Sequence, residues 1–588
     1  MAWRCQWKEI GDDALITMRY AWNLVAGNGL VYNPGEHVLG TTTPLYALVL
    51  AAFMVAGAVP WIAALVLDAI CAWLLSIVVY LICKRAWNPQ FAAAAVLLML
   101  CDPCRHLSVG GMETGLFSLL VYGSFLALCR ARFGAAIVLS LFAVFTRPEG
   151  FLAWALVLCF SVARFPSFRL RRGYGSRAAI ATVPLALAIA CLVLYYGSPL
   201  PQSMMAKQTQ SMAAGRGGRL PLFVTDFGTQ MFHTFGVPDY AWGVAQILGV
   251  VFALVRCPRL RPVFAWGMFY LAFMAIGRAP NQYWYHQPLF PLQCVALAAF
   301  GFGAAELSGW LAKFVIPALS SAPEVKTAIA AIAILLVGHL KFTSNLQFYT
   351  TMFYRDSGLL DHAHYRDAAL WMRSRAHPDD EIAAQEIGYV GMFSRHRIYD
   401  CMGLVSPDAL KKYRKKDIAT AVALRGCRFF VVNVATNRLS VFPPAFLANY
   451  KPVWVRLDRR RSTVVFERSR DPVLQIIGSA SPGSAGYFPR LAGYDYAIST
   501  TAEGNGTKAA SFGYVGNLRS LDLKCYAAPR ELIRGGVKLG WYTSSQTGPD
   551  GTSRLVPGKR ISDGFILSVQ SASRKAWIVL EDAEISTL

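Results

Sequence analysis

Trp61 to Cys83 reads WIAALVLDAICAWLLSIVVYLIC and runs straight into Lys84-Arg85. About 20 consecutive apolar residues are needed to cross the hydrocarbon core of a bilayer. This run supplies that length with a single acid, Asp68, and the two cations behind it mark its cytoplasmic end. Comparable apolar runs lie at 91–107, 114–130, 134–147, 149–165, 179–197, 241–256, 262–278, 288–306 and 326–342, so ten spans are expected. Composition agrees: of 588 residues 55% are hydrophobic, 13% aromatic and only 15% charged, against about 25% charged in soluble domains. A single soluble domain is excluded, and so is a disordered chain, which lacks this much apolar surface.

The formal charge of +23 would suit nucleic acid, but its distribution excludes that partner. Basic residues of the first 342 positions collect in alternate short loops, at Lys84-Arg85, Arg130 and Arg132, Arg164 to Arg177, Arg256 to Arg261 and Lys313 to Lys326. This is the positive-inside pattern of a protein in a lipid bilayer. The opposite, outer side then receives 102–113, 146–149, 197–240, 279–287 and everything after 343. Only twelve acids occur up to residue 342, and nine of them (Glu9, Asp12, Asp13, Glu36, Asp102, Glu113, Glu149, Asp226 and Asp239) fall on that outer side. Chemistry is therefore expected at the outer face.

The apolar run 44–59 ends at Pro60 and is too short for an ordinary crossing, so it is expected to be re-entrant or interfacial. The amino terminus then starts outside, which implies a span preceding residue 1, because MAWRCQWKEI has no apolar core of its own. Gly11-Asp12-Asp13 opens a predicted helix from Ala14 to Ala26, closed by Gly27, with Leu15, Met18, Trp22 and Val25 as an apolar stripe. The expectation is an amphipathic helix lying on the membrane, with Asp12 or Gly11 as its cap. Paired acids at the mouth of an acid-poor membrane domain point to catalysis, with Asp13 favoured over Asp12 because Asp12 is the better placed cap.

Other outer motifs combine charge with turn residues: Gly111-Met112-Glu113-Thr114-Gly115, Thr146-Arg147-Pro148-Glu149-Gly150, and Ser198 to Gln208 with Lys207 and Gln208. Taken singly, Glu113 reads as a first-turn acid and Arg147-Glu149 as a local ion pair, yet charges at a membrane boundary mark sites by default. Asn281 to Gln287, with Tyr285 and His286, is aromatic and polar, as a sugar-stacking rim or an interfacial aromatic belt would be. Thirteen cysteines are scattered, and Cys101 and Cys104 alone form a C-x-x-C pair, a weak signal without further ligands.

Asp12-Asp13-Ala14, Asn33-Pro34-Gly35-Glu36, Thr43-Pro44-Leu45, Gly111 to Thr114, Thr146 to Gly150 and Ala206-Lys207-Gln208 stand in the order seen in GT-C glycosyltransferases. The chain resembles in particular the terminal arabinofuranosyltransferases of the mycobacterial cell wall, across most of 11–410. It departs from them at Gln202-Ser203, where that family usually carries asparagine and threonine. The resemblance implies an inverting transfer from a polyprenyl-phosphate sugar to a cell-envelope glycan or glycolipid, in a bacterial inner membrane. It makes one of Asp12 and Asp13 the catalytic base, and assigns Glu113, Arg147, Glu149, Lys207, Gln208, Arg278, Tyr285 and His286 to substrate binding. Lys207, Arg147, Arg278 and His286 are candidates to stabilise the departing phosphate. No cofactor is implied with certainty, and a divalent metal stays open. A lipid-linked sugar transporter or flippase, or a non-catalytic envelope scaffold, remains an alternative.

The expected architecture is a polytopic α-helical membrane domain of GT-C type over 1–342, an outer α/β domain over 343–474, and a β-rich domain over 475–588. In the α/β part a helix is expected at 365–376, strands at 381–391 and 428–433, a helix at 418–424 and a strand pair at 453–467. Glu386 to Tyr389, Asp400 and Gly403-Leu404 resemble the segment that follows the last span in the family. Alternating strands such as 565–569 and 576–580 suggest a β-sandwich resembling a carbohydrate-binding module. The topology predicts that Asp356→Cys and Ser484→Cys, in intact cells, gain reaction with a membrane-impermeant thiol reagent over the parent. Labelling that appears only after lysis would reverse the orientation.

Overall fold

The computed structural model describes residues 10–102, 110–164, 174–213, 239–276, 283–315, 363–414, 422, 425–435 and, beyond these, the strands named below. The expected span 326–342, Cys104, Arg278 and most of the expected helix at 418–424 lie outside the described residues. The chain divides into two compact units, Met1–Ser357 and Gly358–Leu588.

The first unit is helical. Its elements are α1 (Asp12–Val25), α2 (Pro44–Val55), α3 (Pro60–Ala86), α4 (Pro89–Leu100), α5 (Thr114–Cys129), α6 (Phe133–Thr146), α7 (Gly150–Arg164) and α8 (Tyr174–Tyr196). They are followed by α9 (Gln202–Ala213), α10 (Asp239–Arg256), α11 (Arg261–Ile276), the single turn α12 (Tyr283–His286) and α13 (Phe290–Val315). Proline opens α2, α3 and α4 at a first-turn position where its missing N–H costs nothing. Among the described residues two helical stretches, Pro60–Ala86 and Trp284–Leu307, are long and apolar enough to cross a membrane, and six shorter apolar helices accompany them. The pair Gly243–Arg256 and Pro258–Ile276 passes the same test together but is bent by 112°. This is a membrane-spanning helical region, with two or three full-length spans among the described residues where ten spans are expected over 61–342. In the run expected at 91–107 the helix ends at Leu100 with Cys101 as its C-cap, and 103–107 lie outside the described residues.

Packing is aromatic at the centre. Trp266 of α11 lies edge-on to Tyr122 of α5 at 5.8 Å, and the Tyr122 hydroxyl donates to the Pro288 carbonyl at 3.1 Å. Phe91, Phe117, Phe125 and Phe290 are fully buried around them. The helix α1 departs from its expected place on a membrane surface: Ala14 to Ala21 are buried without interruption, and Val25 of the expected apolar stripe is exposed. Its polar residues are buried because the following loop consumes them. Arg19 donates to the Tyr32 carbonyl at 2.8 Å and to Asn33 Oδ1 at 3.2 Å, and Asn23 donates to the carbonyls of Val31 and Tyr32. The N-cap is Gly11, not Asp12, and no side chain caps the helix.

The second unit opens with α14 (Ala363–Arg373), β1 (Glu381–Ala384), α15 (Ile387–Ser394), β2 (Arg397–Asp400), α16 (Pro407–Arg414), β3 (Phe429–Ala435), β4 (Tyr450–Arg456) and β5 (Arg461–Arg468). The strand expected over 381–391 is half strand and half helix: Glu386 is the N-cap of α15, whose Ile387 to Gly391 are all buried. A short, wholly buried apolar run has no period by which helix and strand differ. Eight further strands follow: β6 (Leu474–Ala480), β7 (Tyr494–Glu503), β8 (Gly506–Val515), β9 (Ser520–Cys525), β10 (Val537–Tyr542), β11 (Val556–Ile561), β12 (Gly564–Gln570) and β13 (Lys575–Ser586). One sheet runs β2-β1-β3-β5-β4-β13-β8-β7 with β10 also on β13, and a second runs β11-β12-β9-β6. The strand β13 pairs in parallel with β4 and antiparallel with β8.

One packing contact fixes the turn between α6 and α7. A Cβ added at Gly150 would overlap the backbone of Ala143 and Val144. Gly150→Ala should therefore push the two helices apart, lowering stability by about 1–3 kcal/mol as overpacking does. Thermal unfolding of the purified protein in detergent measures it, and an unchanged midpoint would refute the contact.

Candidate active site

Two hydrogen bonds to backbone carbonyls bring distant segments of the first unit together. The Gly11 N–H donates to the Gly110 carbonyl at 3.1 Å, and the Tyr46 hydroxyl donates to the Gly111 carbonyl at 3.0 Å. Gly110 and Gly111 have φ of +86° and +73°, a conformation that glycine adopts without a steric penalty. The turn they make leads directly into Glu113, whose backbone carbonyl accepts the first hydrogen bond of α5, from Phe117. Glu113 is buried and faces Arg147 at 3.8 Å.

Arg147 is the centre of the cluster. It leaves α6 in extended geometry as its C-cap, and its guanidinium Nη2 and Nε donate to the two Glu149 oxygens at 3.2 and 3.4 Å. Nη1 donates to the Trp284 carbonyl at 3.2 Å, and the rings of Phe117 and Tyr285 lie 5.5 and 5.2 Å from its charge. Burial opposes its proton, but Glu149 first, then Tyr270 and Glu113, more than compensate and hold it firmly as a cation. For Glu113 the balance differs: burial pushes its carboxyl above the usual glutamate range, with Arg147 and Lys207 pulling the other way.

Lys207 of α9 supplies the third corner. Its Nζ donates to Asp13 Oδ2 at 2.8 Å, joining residues 194 apart in sequence, and lies 5.8 Å from the Trp284 ring. Burial would lower its basicity, but Asp13 raises it by more. Between these groups is a cavity of about 120 Å³, lined by Thr42, Met112, Glu113, Arg147, Pro148, Glu149, Met204, Lys207, Gln208, Phe273, Met274, Trp284 and Tyr285. Six residues singled out from the sequence thus line one cavity: Glu113, Arg147, Glu149, Lys207, Gln208 and Tyr285. Asp13 joins through Lys207, while Asp12 and His286 are not in the lining, and His286 is buried at the end of α12. Trp284 belongs to the site as well; its signal was the aromatic stretch 281–287. Met112 lay in the 111–115 motif, while Thr42, Phe273 and Met274 carried no signal. Among the described residues no group of three or more His, Cys, Asp or Glu is arranged to hold a metal ion.

Such a cavity can bind a polar ligand against two aromatic faces, present cations to an anion, and accept a proton on a carboxylate. Comparison with known proteins adds the following. Residues 353–496 match a family model described as a domain of unknown function (DUF8728). The chain is 27% identical over 303 residues to the terminal beta-(1->2)-arabinofuranosyltransferase of Mycobacterium tuberculosis (strain ATCC 25618 / H37Rv), and the match covers 45% of this chain and 44% of that protein. The chain thus matches less than half the length of that curated relative. Among solved structures, ArnT from Cupriavidus metallidurans bound to undecaprenyl phosphate aligns with a TM-score of 0.44 at 13% identity, over 78% of this chain and 94% of that one. The arabinosyltransferase EmbB from Mycobacterium smegmatis aligns with a TM-score of 0.33 at 14% identity, over 98% and 63%.

The cluster makes a stability prediction. Arg147→Met leaves Glu113 and Glu149 without their buried counter-charge and should cost about 3–5 kcal/mol. Adding Glu149→Gln should recover part of that loss. Denaturant unfolding of the three proteins measures it; equal stability of parent and Arg147→Met would show that the cluster is not desolvated.

Proposed function

We propose that this chain transfers a sugar from a polyprenyl-phosphate donor to a cell-envelope glycan or glycolipid, with inversion, at the outer face of a bacterial inner membrane. The observation that carries the reading is the Lys207–Asp13 pair beside a cavity walled by Glu113, Arg147 and Glu149 and by the aromatic residues Phe273, Trp284 and Tyr285. The 27% identity to an arabinofuranosyltransferase over 303 residues supports it and makes an arabinofuranosyl group the favoured cargo. On this reading the membrane region is a GT-C bundle, and the strand-rich carboxy-terminal part is an outer domain that holds glycan.

Attack by an acceptor hydroxyl needs a base to take its proton, and Asp13 is placed for that role. The bond from the sugar to the phosphate oxygen breaks as the acceptor oxygen bonds to the sugar, and the phosphate leaves with its electrons. It needs cations rather than an acid, and Lys207 and Arg147 supply fixed positive charge. At rest Lys207 occupies Asp13, so a donor phosphate that draws Lys207 away frees the base only when the donor is present. Trp284 and Tyr285 offer faces to the sugar or to the first isoprene unit. Asp12, one residue earlier, is outside the cavity lining and, in the first turn of α1, favours the positive end of the helix dipole.

Membranes or purified protein assayed with a radiolabelled polyprenyl-phosphate sugar test this. Asp13→Asn should lower turnover by about 10²- to 10⁴-fold, as removal of a positioned base does, and Asp12→Asn should stay near the parent. Lys207→Ala should raise the donor KM more than it alters folding. A folded Asp13→Asn protein that transfers sugar at the parent rate would end the enzymatic reading.

A further inference from the structure

Two arginines meet where the end of α3, the end of α5 and the bend between α10 and α11 come together. Arg85, in the last turn of α3, donates through Nε to the Cys129 carbonyl at the end of α5, 3.2 Å away. Arg259, in the single 3-10 turn Pro258–Leu260 between α10 and α11, donates through Nη1 to the Arg85 carbonyl. The Cys129 thiol closes the circle on the Arg259 carbonyl at 3.7 Å. Each acceptor is a backbone carbonyl, so both guanidinium groups are fixed in place while their charge stays unneutralised. Arg147 is the contrast, since two glutamates consume its charge.

Nothing nearby offsets the two charges. Lys84, Arg130, Arg132 and Arg261 are exposed, like Arg85 and Arg259, and Glu306 is paired with Arg256 at 3.1 Å. The stretches 84–90, 129–133 and 256–262 carry seven lysines and arginines and no acid. The other basic loops of the first unit, 164–177 and 313–326, hold seven more against a single acid, Glu324. One carboxylate cannot balance that excess wherever it sits.

Apolar surface leads to the same place. On α3 the exposed residues Ile70, Trp73 and Ile77 run up to Lys84, and on α10 Val244, Ile247, Val251 and Val255 run up to Arg256. Spacings of three, four and seven put each row on one helix face. Hydrocarbon-facing rows that end at fixed, unneutralised guanidinium groups match the two parts of an anionic lipid, chains and phosphate. We propose that Arg85 and Arg259 bind the phosphate of an anionic diacyl phospholipid whose chains lie along these two rows. The site is separate from the cavity at Arg147: Glu113 caps the start of α5 and Cys129 ends it, about 24 Å of helix away. The bound lipid bridges α3, α5 and the α10–α11 bend from outside the protein.

The full-length protein, delipidated in detergent, tests this without any sugar donor. It is given phosphatidylglycerol, phosphatidylcholine or inorganic phosphate. Binding is read by native mass spectrometry and by the thermal midpoint, which a ligand of the folded state raises. Phosphatidylglycerol should bind about tenfold or more tightly than phosphatidylcholine, and high salt should narrow the difference. Inorganic phosphate at the same concentration should not compete. Arg85→Gln with Arg259→Gln should weaken phosphatidylglycerol about thirtyfold, at about fivefold per basic residue near an anionic surface, and leave phosphatidylcholine unchanged. Should that protein not fold, Arg130→Gln with Arg132→Gln, which take no part in the circle of contacts, should show the same loss. Arg366→Gln, in the second unit, should match the parent. Equal binding of the two phospholipids, or a preference that survives the double substitutions, overturns the proposal. Displacement of the lipid by inorganic phosphate would leave a simple anion site, and displacement by an equal amount of polyprenyl phosphate would make that lipid the occupant; either result overturns it.

Discussion

An arginine cannot shed its proton to escape a dry environment, so the burial of Arg147 imposes conditions on everything around it. Glu149 must follow two residues later to take the two-pronged contact, and Glu113 must be brought from 34 positions earlier to share the charge. The remaining donor goes to a backbone carbonyl, at Trp284, which ties the turn 283–286 to the same centre. Phe117 and Tyr285 then fill the faces of the guanidinium. The α6–α7 turn that presents Arg147 is fixed by the close approach of Gly150 to α6. A cavity walled in this way keeps its charges in place before any ligand arrives, which is the arrangement that stabilises developing charge without reorganisation.

Much of this site was legible because acids and bases are scarce in an apolar chain. Asp13, Glu113, Arg147, Glu149 and Lys207 stood out against a background of few charges on the outer side, and scarcity is information. The apolar lining had no such contrast: Phe273 and Met274 are indistinguishable in sequence from the other apolar side chains of the helices. Helix ends marked by proline and glycine fell close to their expected places, as at Pro60 and Gly27. Where the expected elements failed, a tertiary partner was responsible. Arg19 and Asn23 made α1 look as though one face met water, because a polar residue bonded to a neighbouring loop reads the same as one in solvent. In α15 the opposite confusion held, since a run buried all round has no polar face to set its period.

The loop after α1 shows what those two polar residues accomplish. Between Gly27 and Thr43 the chain has no regular structure, yet its backbone is held at Tyr32 and Val31 by Arg19 and Asn23, and at Val38 and Gly40 by the Tyr20 hydroxyl. Thr17 meets Thr43 at 3.1 Å, and Thr43 meets Thr41 at 3.0 Å. Thr42, between them, is thereby delivered to the cavity wall. A helix that buries polar side chains can position a loop as firmly as a strand would, because each of those side chains must find a partner or cost free energy.

The two ion pairs of the site differ in what they can give up. Arg147, Glu113 and Glu149 have side-chain exposures of 3%, 7% and 9%, so separating them would strand charges away from water. Lys207 and Asp13 are at 24% and 26%, and water can take over either group when the other moves. The first is a fixed wall and the second an exchangeable contact. On the transferase reading proposed above, a site that accepts a phosphate and then releases it uses both kinds. The sequence placed both sets of residues at the outer face, but only their burial distinguishes the wall from the latch.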